Sequence, residues 1–207
     1  MKPICYADTR NQDDAWACEQ IRAQGYEVHR HTLSFGDFAL SSEIRLAIDI
    51  KSSSGGIVEI ARNVCSKDHN RLKREIFKCV AVHGQICFLV AGNHGITSIA
   101  DLNNWVSPIY KSDIYKTEYF LNSDGTKIAK ADLKDYGKED YYSKRTLMHK
   151  KGELYTKVKG ETLAKALATM SEPNHYADGL TVRFSFCSKE NAGKKIVEIL
   201  EWYNKNY

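Results

Sequence analysis

Two aspartates and a lysine are spaced to support phosphodiester hydrolysis: Asp37, in the run Leu33-Ser34-Phe35-Gly36-Asp37-Phe38, and the Asp49-x-Lys51 pair, in Ile48-Asp49-Ile50-Lys51-Ser52. Breaking that bond without a covalent intermediate needs a divalent cation to offset developing charge and a water made nucleophilic near neutral pH. Mg²⁺, or Mn²⁺ in its place, accepts hard oxygen ligands and keeps several waters, so two carboxylates and a backbone carbonyl suffice. Side chains alternate along a strand, so Asp49 and Lys51 project to one face while Ile50 turns to the core and offers its carbonyl. Lys51 then orients the attacking water or stabilises charge. An isolated Asp-x-Lys also suits an exposed cross-strand ion pair, but Ile48 and Ile50 embed this one in an apolar stretch.

The flanking patterns show what must position these groups. Residues 3–8 form a short apolar run ending at Asp8; Ala17, Cys18 and Ile21 follow at helical spacing, with Gly25 as the stop. Tyr26 to Leu33 and Phe38 to Ile50 alternate as strands, turning at Ser41-Ser42-Glu43, so Asp37 and Asp49 fall on neighbouring strands. Ile57 to Val64 reads as a short helix. Asp68 caps a longer one, with Leu72, Ile76, Cys79 and Val80 as its apolar stripe and Arg71, Glu75 and Lys78 opposite. Ile86 to Val90 is a strand buried on both sides, closed by Gly92. Past residue 160 come a helix to Met170, a strand over Leu180 to Phe186, and a last helix capped by Ser188. The expected fold is α/β: a restriction-endonuclease-like core with a central mixed sheet flanked by helices, built from 1–103 and 160–207, with 104–159 inserted.

Composition narrows the class. With 207 residues, 43% hydrophobic and 27% charged, the chain suits one well-buried domain rather than two enzymes or a disordered tail. No apolar run approaches the roughly 20 residues that span a bilayer, and the start lacks a signal peptide's apolar stretch; the expectation is a cytoplasmic protein without membrane partners. The six cysteines contain no Cys-x-x-Cys pair, and the seven histidines show no zinc spacing. Gly92-Asn93-His94-Gly95 lacks the Lys-Ser/Thr of a phosphate loop. The net charge of +4 is too small to identify a nucleic-acid partner.

Three runs in order, Asp8-Thr9-Arg10, Gly36-Asp37-Phe38 and Asp49-Ile50-Lys51-Ser52, resemble the nuclease domain of the XPF family in the PD-(D/E)xK superfamily, whose pattern is Asp-Ser/Thr-Arg-Glu, Gly-Asp-Tyr, Glu-Arg-Lys-Ser. Asn70-Arg71-Leu72 with Glu75 resembles the arginine-bearing helix that follows, and Ile86 to Gly92 the next core strand. Phage and bacterial members also end in a Phe-x-Phe-Cys strand and an Ala-Gly-bearing helix, similar to Phe184–Gly193. The resemblance covers about residues 3–95 and 160–200. It implies a Mg²⁺-dependent endodeoxyribonuclease of a bacterial or phage-infected cell, selective for branched or junction DNA. Asp37 and Asp49 would bind metal, Lys51 would act on the water, Asp8 would be a further catalytic residue of the same cleft, Arg10 would contact DNA there, and Arg71 would meet DNA or buttress the cleft. Arg71 and Glu75 equally suit a surface i, i+4 ion pair. Asn11 stands where the family has an acidic residue, Asp49 where it has Glu, and Gly55 where an Asp often closes the lysine motif. These departures support the alternative of a catalytically weakened module binding DNA or protein.

No helix-hairpin-helix signature follows the core. The insertion is the remaining candidate for gripping DNA, through Lys144, Arg145, Lys150 and Lys151 and the interleaved tyrosines. The same residues equally describe a small core with a solvated face, or a surface for a protein partner or homodimer.

Overall fold

The computed structural model describes residues 2–41, 45–65, 69–107, 120–122, 124, 126–128, 141–143 and 158–206. It divides into two compact units, Met1–Trp105 with Gly160–Tyr207, and Val106–Lys159. The first contains β1 (Ile4–Asp8), α1 (Ala15–Ala23), β2 (Glu27–His31), β3 (Phe38–Ala39), β4 (Leu46–Lys51), α2 (Ile57–Cys65), α3 (His69–Ala81) and β5 (Gln85–Ala91). In the second, β6 (Phe120–Asn122) lies between β7 (Lys127–Ile128) and β8 (Tyr141–Ser143), antiparallel to both. The first unit resumes with α4 (Gly160–Met170), β9 (Val182–Cys187) and α5 (Ala192–Asn206).

The larger sheet runs β2-β1-β3-β4-β5-β9. Its β1–β2, β4–β5 and β5–β9 pairs are parallel and β3 is antiparallel to both neighbours, so the sheet is mixed. β5 is its most apolar strand. Cys87, Leu89 and Ala91 join a buried cluster with Ala17, Cys18 and Ile21 of α1 and Ala192, Ile196 and Leu200 of α5. Ile86, Phe88 and Val90 alternate to the other face, where α2 and α3 pack. Fully burying a Leu, Ile or Phe stabilises by roughly 1.5–3 kcal/mol. The two-sided burial of β5 therefore anchors both helical layers to the strand beside β4.

Local rules account for most element limits. Leu72, Ile76 and Cys79 are the buried stripe of α3, and α1 stops where Gly25 adopts φ +90°. The second strand is shorter than the expected 26–33, ending at His31. The proposed cap Asp68 lies outside the described residues. Ser188 does not cap α5: a 3-10 turn over Lys189–Asn191 intervenes, and the Ser188 hydroxyl accepts the Asn191 amide instead. Among the described residues no helix is long and apolar enough to cross a membrane.

Candidate active site

Asp37 precedes β3 and is pressed onto β4 from the side. Its N–H donates to the Ile48 carbonyl at 2.7 Å, and its Oδ2 accepts the Ile50 N–H at 2.7 Å. Gly36 makes this approach feasible: its φ is +70°, and a Cβ there would lie 2.6 Å from the Ala47 Cβ and 3.1 Å from the Ile48 carbonyl. The register sets the rest. Asp49 pairs with Phe88 and Lys51 with Val90, so both lie on the α2/α3 side, while Ile48 and Ile50 join the opposite core.

The two charged β4 side chains are almost fully enclosed, at 6% and 5% exposure. The Lys51 ammonium forms an ion pair with Asp49 Oδ1 and lies 5.6 Å from the centre of the Phe88 ring. The ammonium is thus the partner of this buried carboxylate oxygen. Burial, reinforced by repulsion from Asp49, pushes the Asp37 carboxyl up to about 7, against the opposing pull of the Ile50 N–H, Lys51 and the Asn11 side chain. Burial disfavours the Lys51 ammonium, but Asp49, Glu59 and Asp37 outweigh it and hold its pKa above the ordinary lysine value.

These groups line a cleft of about 660 Å³, with seven carboxylates against three cationic side chains. Such an excess of carboxylates around buried Asp37 and Asp49 fits a hard divalent cation. Among the described residues no three His, Cys, Asp or Glu side chains converge as a complete metal cluster. Protein ligation would therefore rest on two carboxylates and a backbone oxygen, a donor set that suits Mg²⁺ or Mn²⁺ retaining several waters.

Asp8 is 4% exposed, and both its oxygens are occupied by Arg10: Nε donates at 2.9 Å and Nη2 at 2.6 Å to Oδ2, and the Arg10 N–H donates at 3.2 Å to Oδ1. Its geometry is that of a group orienting Arg10, whose side chain is half exposed at the cleft. Arg71 also lines the cleft. Glu75 takes Lys78 as its partner at 2.8 Å. Lys144, Arg145, Lys150 and Lys151 lie outside the described residues.

Sequence reasoning did not single out three other contributors. Arg30 clamps the 8–14 loop, donating to Asp14 at 2.6 and 3.1 Å and to the Asp8 and Asn11 carbonyls at 3.0 and 2.9 Å. Glu59 accepts the Ser53 N–H at 2.8 Å and lines the cleft with Lys51; its one local signal is a carboxylate inside the apolar run Ile57–Ala61. Burial raises its pKa, while Lys51 works in the other direction. Buried Asn63 is tied to α2 by donating to the Glu59 carbonyl at 2.7 Å. The departure at Gly55 has a backbone reason: φ there is +80°, a conformation that strains an aspartate.

No family model matches this sequence, and no curated protein does. Among solved structures, XPF from Aeropyrum pernix is similar, with a TM-score of 0.50 at 12% identity, over 98% of this chain and 65% of that one. XPF from Aeropyrum pernix in complex with DNA gives a TM-score of 0.49 at 12% identity, over 99% and 66%. The chain spans less than two thirds of the length of either. At this identity the likeness is one of architecture, and the six-stranded mixed sheet with its flanking helices is an XPF-like fold.

Proposed function

We propose that this chain is a divalent-metal-dependent DNA endonuclease. The observation that carries the reading is the convergence of Asp37, Asp49 and Lys51 in one carboxylate-rich cleft, with the buried Lys51 ammonium ion-paired to Asp49 Oδ1. Mg²⁺ or Mn²⁺ bound there would offset charge on the phosphate and lower the pKa of a water. Asp37 and Asp49 would hold it, with the Ile50 carbonyl as third protein ligand. The Lys51 ammonium, kept protonated by its acidic neighbours, orients the attacking water and faces the charge that develops on the phosphate. Arg10, held by Asp8, and Arg71 are the cations available to flanking phosphates. By the family resemblance we assign it branched or junction DNA and a role in repair or recombination. By the resemblance of the Phe184–Gly193 run we also assign it to the stand-alone phage and bacterial members, acting in the cytoplasm.

Incubating the purified chain with labelled branched, single-stranded and duplex DNA, with Mg²⁺, Mn²⁺ or a chelator, tests the reading. Cleavage that needs the metal is expected. DNA binding without cleavage under every condition would favour the second reading, a weakened binding module, which rests on Asn11 and Gly55.

The acidic pair sets a pH signature for metal binding. Asp37 holds its proton to a higher pH in the fold than in the unfolded chain, so its contribution to metal-free stability is fullest below about pH 4 and declines as pH rises towards 7. A cation needs the ionised form, so the gain in thermal midpoint on adding Mg²⁺ should be larger at about pH 8 than at about pH 5.5. Each kcal/mol of difference appears as about 2–4 °C in a chain of this size. Equal gains at both pH values would remove Asp37 from the metal site.

The insertion's assignment to DNA has its own test. Neutralising Lys144, Arg145, Lys150 and Lys151 together should weaken DNA binding and flatten its salt dependence. Each lost contact should lower the log–log slope by about 0.7 on single strands or 0.9 on duplex. An unchanged slope in a variant with an unchanged thermal midpoint would count against the DNA assignment and leave the segment as a protein or homodimer contact or a self-contained packing element.

A further inference from the structure

The described residues lining the acidic cleft include one aromatic ring, that of Trp16, at the start of α1 beside Gln12 and Asp13. The ring is half-buried against the core shared by α1 and α5. The Lys189 ammonium lies 4.7 Å from its centre, and Lys189 is solvent-exposed. What covers the ring there is the end of a flexible side chain.

The frame behind the ring is braced across 173 residues of sequence. The Gln20 amide donates to the Lys189 carbonyl at 3.0 Å, and Gln20 Oε1 accepts the Gly193 N–H at 2.8 Å. Ala17, Cys18 and Ile21 of the same helix are fully buried. The Lys189 backbone and the Trp16 ring are therefore held, while the ammonium is free to swing aside.

Charge at this rim discriminates between the two parts of a nucleotide. Exposed Asp13 repels phosphate but can accept the amino protons on a base edge, as can the Gln12 carbonyl. A paired base presents no free face to an indole, whereas an unpaired one does. Displaced by a stacking base, the Lys189 ammonium would be left beside the adjoining phosphate.

We propose that Trp16 and Lys189 form a stacking site for an unpaired nucleobase of a DNA strand entering the cleft, making Trp16 a determinant of selectivity for single-stranded segments. This rests on the reading of the chain as a DNA-binding nuclease.

The test uses the full chain with Ca²⁺ in place of Mg²⁺, a labelled mixed-sequence single strand, and a blunt hairpin duplex of the same length. Trp16→Leu should weaken single-strand binding by about five- to a hundredfold, the range of stacking losses at such platforms, and leave duplex binding within about twofold. Trp16→Phe should retain most of the affinity. Single strand should quench tryptophan fluorescence in the wild-type chain, and most of that quench should vanish in Trp16→Phe. This readout stands even if Trp16→Leu does not fold. Lys189→Ala should lower the single-strand salt slope by about 0.7. Undiminished binding by folded Trp16→Leu, equal losses on both DNAs, or a quench unchanged in Trp16→Phe would overturn the stacking site alone. A wild-type chain that binds neither DNA would overturn the nuclease reading with it.

Discussion

Asp49→Asn is expected to abolish DNA cleavage, by about a thousandfold or more, while leaving DNA binding intact. The substitution preserves side-chain volume in a site only 6% exposed, so the fold loses little packing. It removes one of the two carboxylate charges proposed to hold the cation, and amide oxygens are much weaker ligands for Mg²⁺. It also removes the neighbour that helps drive the Asp37 carboxyl upward, so Asp37 should ionise more readily in the variant. Mn²⁺ titration calorimetry should therefore show a weakened site, and binding of labelled DNA should hold or improve as the cleft becomes less negative. Cleavage within tenfold of wild type would exclude Asp49 from the chemistry.

The second large effect separates catalysis from stability at one residue. Lys51→Met keeps most of the stem that lies near Phe88 but deletes the buried ammonium. Turnover should fall by about 10²–10³, the usual cost of losing a group that stabilises transition-state charge. The metal-free protein should also suffer, because Asp49, Asp37 and Glu59 then face one another without the cation that offsets them. Breaking a buried ion pair by removing one partner typically costs about 3–5 kcal/mol, which in a chain of this size is a fall of about 6–20 °C in the midpoint. Mg²⁺ should restore more stability to Lys51→Met than to the wild type, since it replaces the missing positive charge. Normal turnover, or a loss confined to metal affinity, would refute the assigned role of Lys51. An unchanged metal-free midpoint would show that the carboxylates do not depend on it.

What the sequence determined by itself follows from short-range periodicity. The two-residue repeat of β4 is enough to put Asp49 and Lys51 on one face and Ile48 and Ile50 on the other. The helical repeat is enough to make Leu72, Ile76 and Cys79 the buried stripe of α3. The apolar run of β5 marks a central strand because nothing but burial on both faces accommodates it.

The tertiary structure alone decided which charged groups meet. Nothing local pairs Arg30 with Asp14 and the carbonyls of the 8–14 loop; that follows from the parallel docking of β2 on β1. The turn of the loop after β1 brought the Arg10 guanidinium onto Asp8. Arg71 reached the cleft through the packing of its helix, whereas Glu75 pairs locally with Lys78 in that same helix. Glu59 came to the Lys51 site through the packing of α2 beside β4, and Trp16 met Lys189 through the contact of α1 with α5. Burial periodicity is a property of a segment and is written along it, whereas an ion pair or a ring contact depends on distances of a few ångströms between segments. Those distances are set only when the sheet and both helical layers have closed on one core.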